Sequence, residues 1–216
     1  MTFEKTSTFK PRLQVLNKEQ MWSIHNAALE ILKTTGFQMK HTVARDMLLE
    51  AGCSLSRNGR IRLPPRLVED ALNSAPKHIV LYDQKGNPAM DLVGENSFYG
   101  TGSDTIFTID LNTGQRRRTV LDDIGRFARL VNGLENMDFA MSMGNPKDVP
   151  IEDIYVYVFV EMLRNTNKPI IFIADSGTDI SKIYEIACVV AGGEEALREK
   201  QFILNDRRVR HNLVHA

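Results

Sequence analysis

The chain has two cysteines, one tryptophan and no excess of charge of either sign. Each scarcity removes a class of protein. Cys53 and Cys188 lie far apart, with no Cys-x-x-Cys and no clustered spacing. That spacing argues against a disulfide scaffold and a structural zinc site, and both thiols sit among apolar residues and read as buried. Lys plus Arg number 27 and Asp plus Glu number 27, so the formal net charge is zero. Nothing in that balance marks a nucleic acid or an anionic membrane surface as a partner. The longest apolar run, Ile154 to Val160, is seven residues, against the roughly 20 that a membrane-spanning helix needs. The opening Met1-Thr2-Phe3-Glu4-Lys5 has no apolar signal-peptide region. A cytoplasmic chain is expected, with its ligands recognised locally.

What remains is an ordinary globular composition, 43% hydrophobic and 25% charged over 216 residues. That is enough for one large domain or two small ones. Residues 1–13 are polar and aperiodic and read as an arm. Residues 14–95 read as an α+β region. Asn17 with Gln20 resembles a capping box before an apolar stripe (Ile24, Ala28, Ile31, Leu32) that ends at Gly36. A second helix is expected from a Thr42 cap to Gly52, a hairpin around Asn58-Gly59, and a third helix after Pro64-Pro65. Strands are expected at 78–82 and 89–93.

After Glu95 the rhythm changes. Strand centres fall near 99, 140, 172 and 203, with a helix in each gap. That is the β-α repeat of a parallel sheet, either half of an eight-stranded barrel or a small open sheet. A hairpin (106–109 with 115–118) interrupts the first repeat, and Thr119 and Thr178 are the expected caps of the helices that follow 118 and 177. Residues 206–216 turn basic and leave the rhythm, so they read as an aberrant tail on a truncated frame. A half barrel would expose two sheet edges and favour self-association.

Ligands of such folds bind at the C-terminal ends of the strands. Four residues there or beside the first strand are the expected substrate-binding set: Tyr99, Thr101, Asn145 and Asp175. Three of them have a plainer alternative: barrel packing for Tyr99, a tight turn around Gly100-Thr101-Gly102, and helix capping for Asp175. Gly100-Thr101-Gly102 lacks the third glycine of a dinucleotide fingerprint and is not followed by a helix. Arg116-Arg117-Arg118 is either an anion clamp or a solvated hairpin arm. His211 and His215 have the spacing of two metal ligands but no Glu between them, so no metal site is expected. No catalytic residue can be assigned.

The residues Leu16-Asn17-Lys18-Glu19-Gln20, the run Ile24 to Leu32, and Thr35-Gly36 resemble the trimethylamine–corrinoid methyltransferase family. So do Arg60-Ile61-Arg62-Leu63-Pro64, Leu67-Val68-Glu69, Ala75-Pro76, Asp110, Gly114, Arg116-Arg117, Asp122-Asp123 and Asn165-Thr166-Asn167-Lys168-Pro169. The resemblance runs from about residue 14 to 205. It implies a (β/α)8 TIM-type barrel with an added N-terminal region, of which this chain holds roughly the first half. It implies methyl transfer from trimethylamine or a quaternary amine such as glycine betaine to the Co(I) of a corrinoid protein. The cobalamin-type cofactor would belong to that partner, with none bound by this chain, and the full-length proteins would be homo-oligomers. The alternative is a non-catalytic fragment that keeps a corrinoid-protein-binding or self-association surface.

Overall fold

The computed structural model describes residues 14–94, 96–103 and 105–205. The expected arm at 1–13, the tail at 206–216 and the His211/His215 pair lie outside the described residues. The chain divides into two compact units, at Ala75–Pro76.

In the first unit, helix α1 (Lys18–Glu30) opens on the expected capping box: the Gln20 N–H donates to the Asn17 side chain at 2.8 Å, and the Asn17 N–H donates to the Gln20 side chain at 2.9 Å. Its last turn widens into a π-helix over Ile31–Thr35 and stops at Gly36, whose N–H donates to the Ile31 carbonyl at 2.8 Å. Gly36 has φ +64°, and a Cβ on it would overlap the Ile61 carbonyl oxygen. Only glycine meets both conditions. Helix α2 (Thr42–Glu50) takes its expected cap, Thr42, as its first residue, and the cap lies one residue earlier, where the His41 ring accepts from the Ala44 N–H. Strands β1 (Phe37–Gln38), β2 (Ser54–Leu55) and β3 (Arg60–Arg62) form an antiparallel sheet in the order β1-β3-β2. The β2–β3 turn is the expected Asn58-Gly59. Helix α3 (Pro65–Ser74) begins on Pro65, where a missing N–H costs nothing. His25 on α1 meets Glu69 on α3 at 2.6 Å.

The second unit starts with an antiparallel hairpin, β4 (Val80–Tyr82) and β5 (Pro88–Asp91). Sequence grouped this hairpin with the N-terminal region. It packs instead on the second unit, where the Tyr82 N–H donates to the Gln201 carbonyl and the Gln84 N–H to the Asn167 carbonyl, both at 2.8 Å. The rest of the unit is mixed α/β. The segment through Gly100 and Thr105 pairs in parallel with the segment through Phe139 and Gly144; Ala140 pairs in parallel with Ile170; and β8 (Ile170–Phe172) pairs in parallel with β9 (Ile203–Asn205). Between these segments lie α4 (Leu121–Gly133), α5 (Ile154–Asn165), and α6 (Gly177–Ala191) followed by α7 (Glu194–Glu199). The first connection also carries the antiparallel hairpin β6 (Phe107–Ile109) and β7 (Arg116–Arg118).

Two further helix starts, in the second unit, differ from expectation by one or two residues. At α4 the cap is Val120, not Thr119, and its N–H donates to the Asp123 carboxylate at 3.0 Å. Thr119 is instead fully buried. At α6 the cap is Ser176, in a reciprocal box with Asp179. At α6 two hydroxyl residues, Ser176 and Thr178, lie close together and the one in extended backbone before the helix caps it, whereas at α4 the cap position falls on Val120, whose side chain cannot accept.

The core lies between the parallel segments and the helices. Ile124, Ala128, Phe159, Met162, Ile170, Phe172, Ile183 and Ile203 are all buried in it. The Phe159 and Phe172 rings meet edge-on at 5.7 Å. Gly125 lets α4 approach α5, because a Cβ there would overlap the Glu161 carboxylate.

Gly36 and Gly59 give a controlled comparison. Gly59 has φ +75° but open space around it, whereas Gly36 has both positive φ and a backbone clash. Gly59→Ala should lower stability by about 1 kcal/mol. Gly36→Ala should cost at least about twice that, because β3 or the π-turn must move as well. Urea titration of the two variants checks the difference; equal losses would contradict it.

Candidate functional site

The pairing register sets the residues that meet at the C-terminal ends of the parallel segments. Following the Gly100–Phe139, Thr105–Gly144 and Ala140–Ile170 pairs outward puts Ile106, Asn145 and Asp175 in one row. These three residues line an open cleft of about 490 Å³ with Arg118, Pro146, Lys147, Val149, Ile151, Ile154 and Tyr155. Tyr155, on the first turn of α5, donates its hydroxyl to the Asp175 carboxylate at 2.9 Å. Beneath the cleft, Ser103, Ser142, Gly144, Asn145 and Tyr155 border a small cavity of about 20 Å³ over the core residues Val158, Met162 and Phe172, room for roughly one water.

Of the expected binding residues, the structure brings Asn145 and Asp175 together. Thr101 sits inside the sheet, where its hydroxyl donates to the Met141 carbonyl at 2.9 Å and accepts from the Met141 N–H at 2.8 Å. The hydroxyl thus closes the pairing that a backbone group would otherwise make. Tyr99 lies at the other end of its segment. Its N–H donates to the Asp138 carboxylate at 2.8 Å, and the Asp138 N–H donates back to the Tyr99 carbonyl. It is exposed and does not line the cleft. Tyr155 was not among the expected binding residues: Tyr155, Tyr157 and Phe159 alternate in an apolar helix start, a pattern that signals core packing.

The arginine run divides by strand alternation. Arg117 points inward and forks onto Asp123, Nη1 at 2.6 Å and Nη2 at 2.8 Å, while its Nε donates to Asp110 at 3.1 Å. The inward arginine clamps the protein's own carboxylates. Arg116 and Arg118 point outward over the Phe107 ring, 3.6 Å and 5.3 Å from its centroid. The Arg117 guanidinium beside Asp123 holds its carboxyl below the usual range, and Arg117 together with two backbone N–H groups does the same for Asp110.

The node behind the cleft is Thr119. It directly follows Arg118, its hydroxyl meets that of Thr108 at 3.0 Å, and its carbonyl accepts from the Lys147 N–H at 3.0 Å. It packs on Gly144, where a Cβ would lie 2.5 Å from its methyl group. The residue before that glycine, Met143, has φ +56°, a conformation that L side chains with a Cβ adopt at a cost. The Thr105 hydroxyl and N–H both donate to its carbonyl.

A second surface cavity lies in the first unit, lined by Lys18, Met21, Trp22, His25, Glu69 and Leu72. Trp22 stands edge-on to His25 at 5.4 Å. Among the described residues, no group of three or more His, Cys, Asp and Glu side chains is placed to hold a metal ion, and no helix is long and apolar enough to cross a membrane.

The family model for trimethylamine methyltransferase matches residues 2–207. The chain belongs to that family. It is 29% identical over 185 residues to the trimethylamine methyltransferase MttB of Desulfitobacterium hafniense, covering 84% of this chain and 37% of that protein. It is 25% identical over 196 residues to the glycine betaine methyltransferase of strain Y51 of the same species, covering 90% of this chain and 40% of that protein. It is 26% identical over 206 residues to the trimethylamine methyltransferase MttB of Methanosarcina thermophila, covering 89% and 41%. The chain therefore spans about 40% of the length of these curated relatives.

The Asp123 pair gives a pH prediction. A carboxyl whose pKa is lowered in the folded state adds stability above its unfolded pKa of about 3.9 and loses it as pH falls through the folded value. Asp123→Asn should cost roughly 2 kcal/mol at pH 7, the scale of hydrogen bonds to a charged group. It should also make the acid limb below about pH 4 shallower. Thermal unfolding at stepwise pH checks this. An acid limb as steep as that of the parent would contradict it.

Proposed function

We propose that the chain forms part of a methyltransferase that moves a methyl group from trimethylamine, or from a quaternary amine such as glycine betaine, to the Co(I) of a partner corrinoid protein. The observation that carries this reading is the cleft in which Tyr155 and Asp175 meet at the C-terminal strand ends. The family membership and the names of the relatives support it. On the same reading, the four parallel segments belong to a (β/α)8 barrel, with the cleft at its mouth.

The chemistry suits such a cleft. A methylated ammonium has no N–H when quaternary, so directional hydrogen bonds to nitrogen are not available. Aromatic faces and carboxylates are what hold it. Co(I) attacks the methyl carbon, the C–N bond breaks, and its electron pair stays on nitrogen. From a quaternary ammonium the leaving group is a neutral tertiary amine, so no general acid is needed. The protein's task is alignment and exclusion of water. Tyr155 holds Asp175 in place for that task, and Asn145 presents an amide beside it. The corrinoid is a co-substrate on its own protein in this reading, which asks for an open mouth rather than a closed pocket.

Mixing the chain with glycine betaine or trimethylamine and Co(I) cobalamin, and following the methylcobalamin spectrum, tests the proposal. Methylcobalamin that forms only with a methyl donor is the expected result. Amine binding without any transfer would instead assign the chain a binding role and contradict the catalytic reading.

A further inference from the structure

The cleft is lined by two chemically different pairs of side chains. Tyr155 and Asp175 form one, fixed by their 2.9 Å hydrogen bond. Arg118 and Lys147 form the other, and both line the same cleft. Among the described residues, neither Arg118 nor Lys147 is ion-paired with a carboxylate, although Arg117, the next residue to Arg118, is paired twice. Their backbones are held to one point. Arg118 directly precedes Thr119, and the Lys147 N–H donates to the Thr119 carbonyl at 3.0 Å. Thr119 is fully buried and bonded to Thr108. The Leu121 N–H donates to the Asp148 carboxylate at 2.9 Å and ties the same loop to the start of α4. Two long cationic side chains are thereby rooted in rigid backbone beside a carboxylate–tyrosine pair.

We propose that Arg118 and Lys147 are specificity-determining residues, forming the anion-binding pair of the cleft, so that this chain prefers a methylated ammonium bearing its own carboxylate over one that bears none. The inference rests on reading the cleft as the amine site. A bare ammonium cation gains from Tyr155 and Asp175 but is repelled by two unpaired cations nearby. A neutral amine gains little from either pair. A zwitterion places its ammonium on the aromatic and carboxylate pair and its carboxylate on the guanidinium and ammonium pair, and both charges are met. Arg118 supplies the planar fork that fits a carboxylate, and Lys147 a point charge on a flexible stem. Among the described residues, the ion pairs of the hairpin's three arginines are made by Arg117, which leaves the charge of Arg118 without a carboxylate partner.

Isothermal titration of the chain with glycine betaine, tetramethylammonium and acetate tests this. Glycine betaine should bind at least tenfold tighter than tetramethylammonium, and acetate more weakly than glycine betaine. The double variant Arg118→Ala with Lys147→Ala should bring glycine betaine and tetramethylammonium within about threefold, with tetramethylammonium binding kept or strengthened. The Gln replacements at both positions, which keep side-chain length, should do the same and guard against loss of folding. Equal affinities in the parent chain, or a preference that survives both double variants, overturn the anion-binding pair while leaving the amine site standing. If neither ammonium compound binds, or if Asp175→Asn with Tyr155→Ala leaves glycine betaine binding unchanged, the amine-site reading falls and the inference with it.

Discussion

The fork of Arg117 onto Asp123 holds the β6–β7 hairpin against the first turn of α4. The Asp123 carboxylate is buried, and it accepts from both guanidinium nitrogens and from the Val120 N–H. A buried carboxylate without partners would be costly, and one with three donors is not. The same arginine reaches Asp110 at the hairpin turn, so one side chain sets both the turn and its docking. The position of Arg118, and through Thr119 that of Lys147, follows from this pairing.

The strand ends are set by close approach in the same region. Gly144 admits the Thr119 methyl group, and Thr105 bonds to Met143 across the parallel pair. Met143 pays for this with a left-handed backbone. Strain concentrated where two strands end and a cleft begins is the arrangement found when geometry at a ligand is fixed by surrounding structure. The packing of Phe159 and Phe172 below gives the rigid floor, and Tyr155 stands one helical turn before Phe159. Core and cleft thus share residues of one helix.

Much of this was legible in sequence. Asn17 and Gln20 announced α1, Asn58-Gly59 announced the β2–β3 turn, and the spacing of apolar strands announced parallel pairing. The same rhythm placed Asn145 and Asp175 at strand ends, and the structure puts both in the cleft. Tyr99 was not placed correctly relative to the cleft by the same rule, because its segment continues past it to Thr105 and the chain offers no apolar run to mark that length. Thr101 substitutes its hydroxyl for a backbone partner, which no local pattern signals. Tyr155 was hidden because a helix that serves both core and cleft looks uniformly apolar. The division of labour among Arg116, Arg117 and Arg118 depends on strand alternation and on Asp123, which lies beyond the hairpin.

The central claim is that the amine site is the cleft at the C-terminal strand ends. A residue-resolved amide NMR titration with glycine betaine tests it most directly. The account predicts shifts centred on Asn145, Tyr155 and Asp175, with Arg118 and Lys147 following at the same concentration. Shifts centred instead on Trp22, His25 and Glu69, the other cavity with an aromatic and a carboxylate, or no saturable shift at the strand ends, would contradict it.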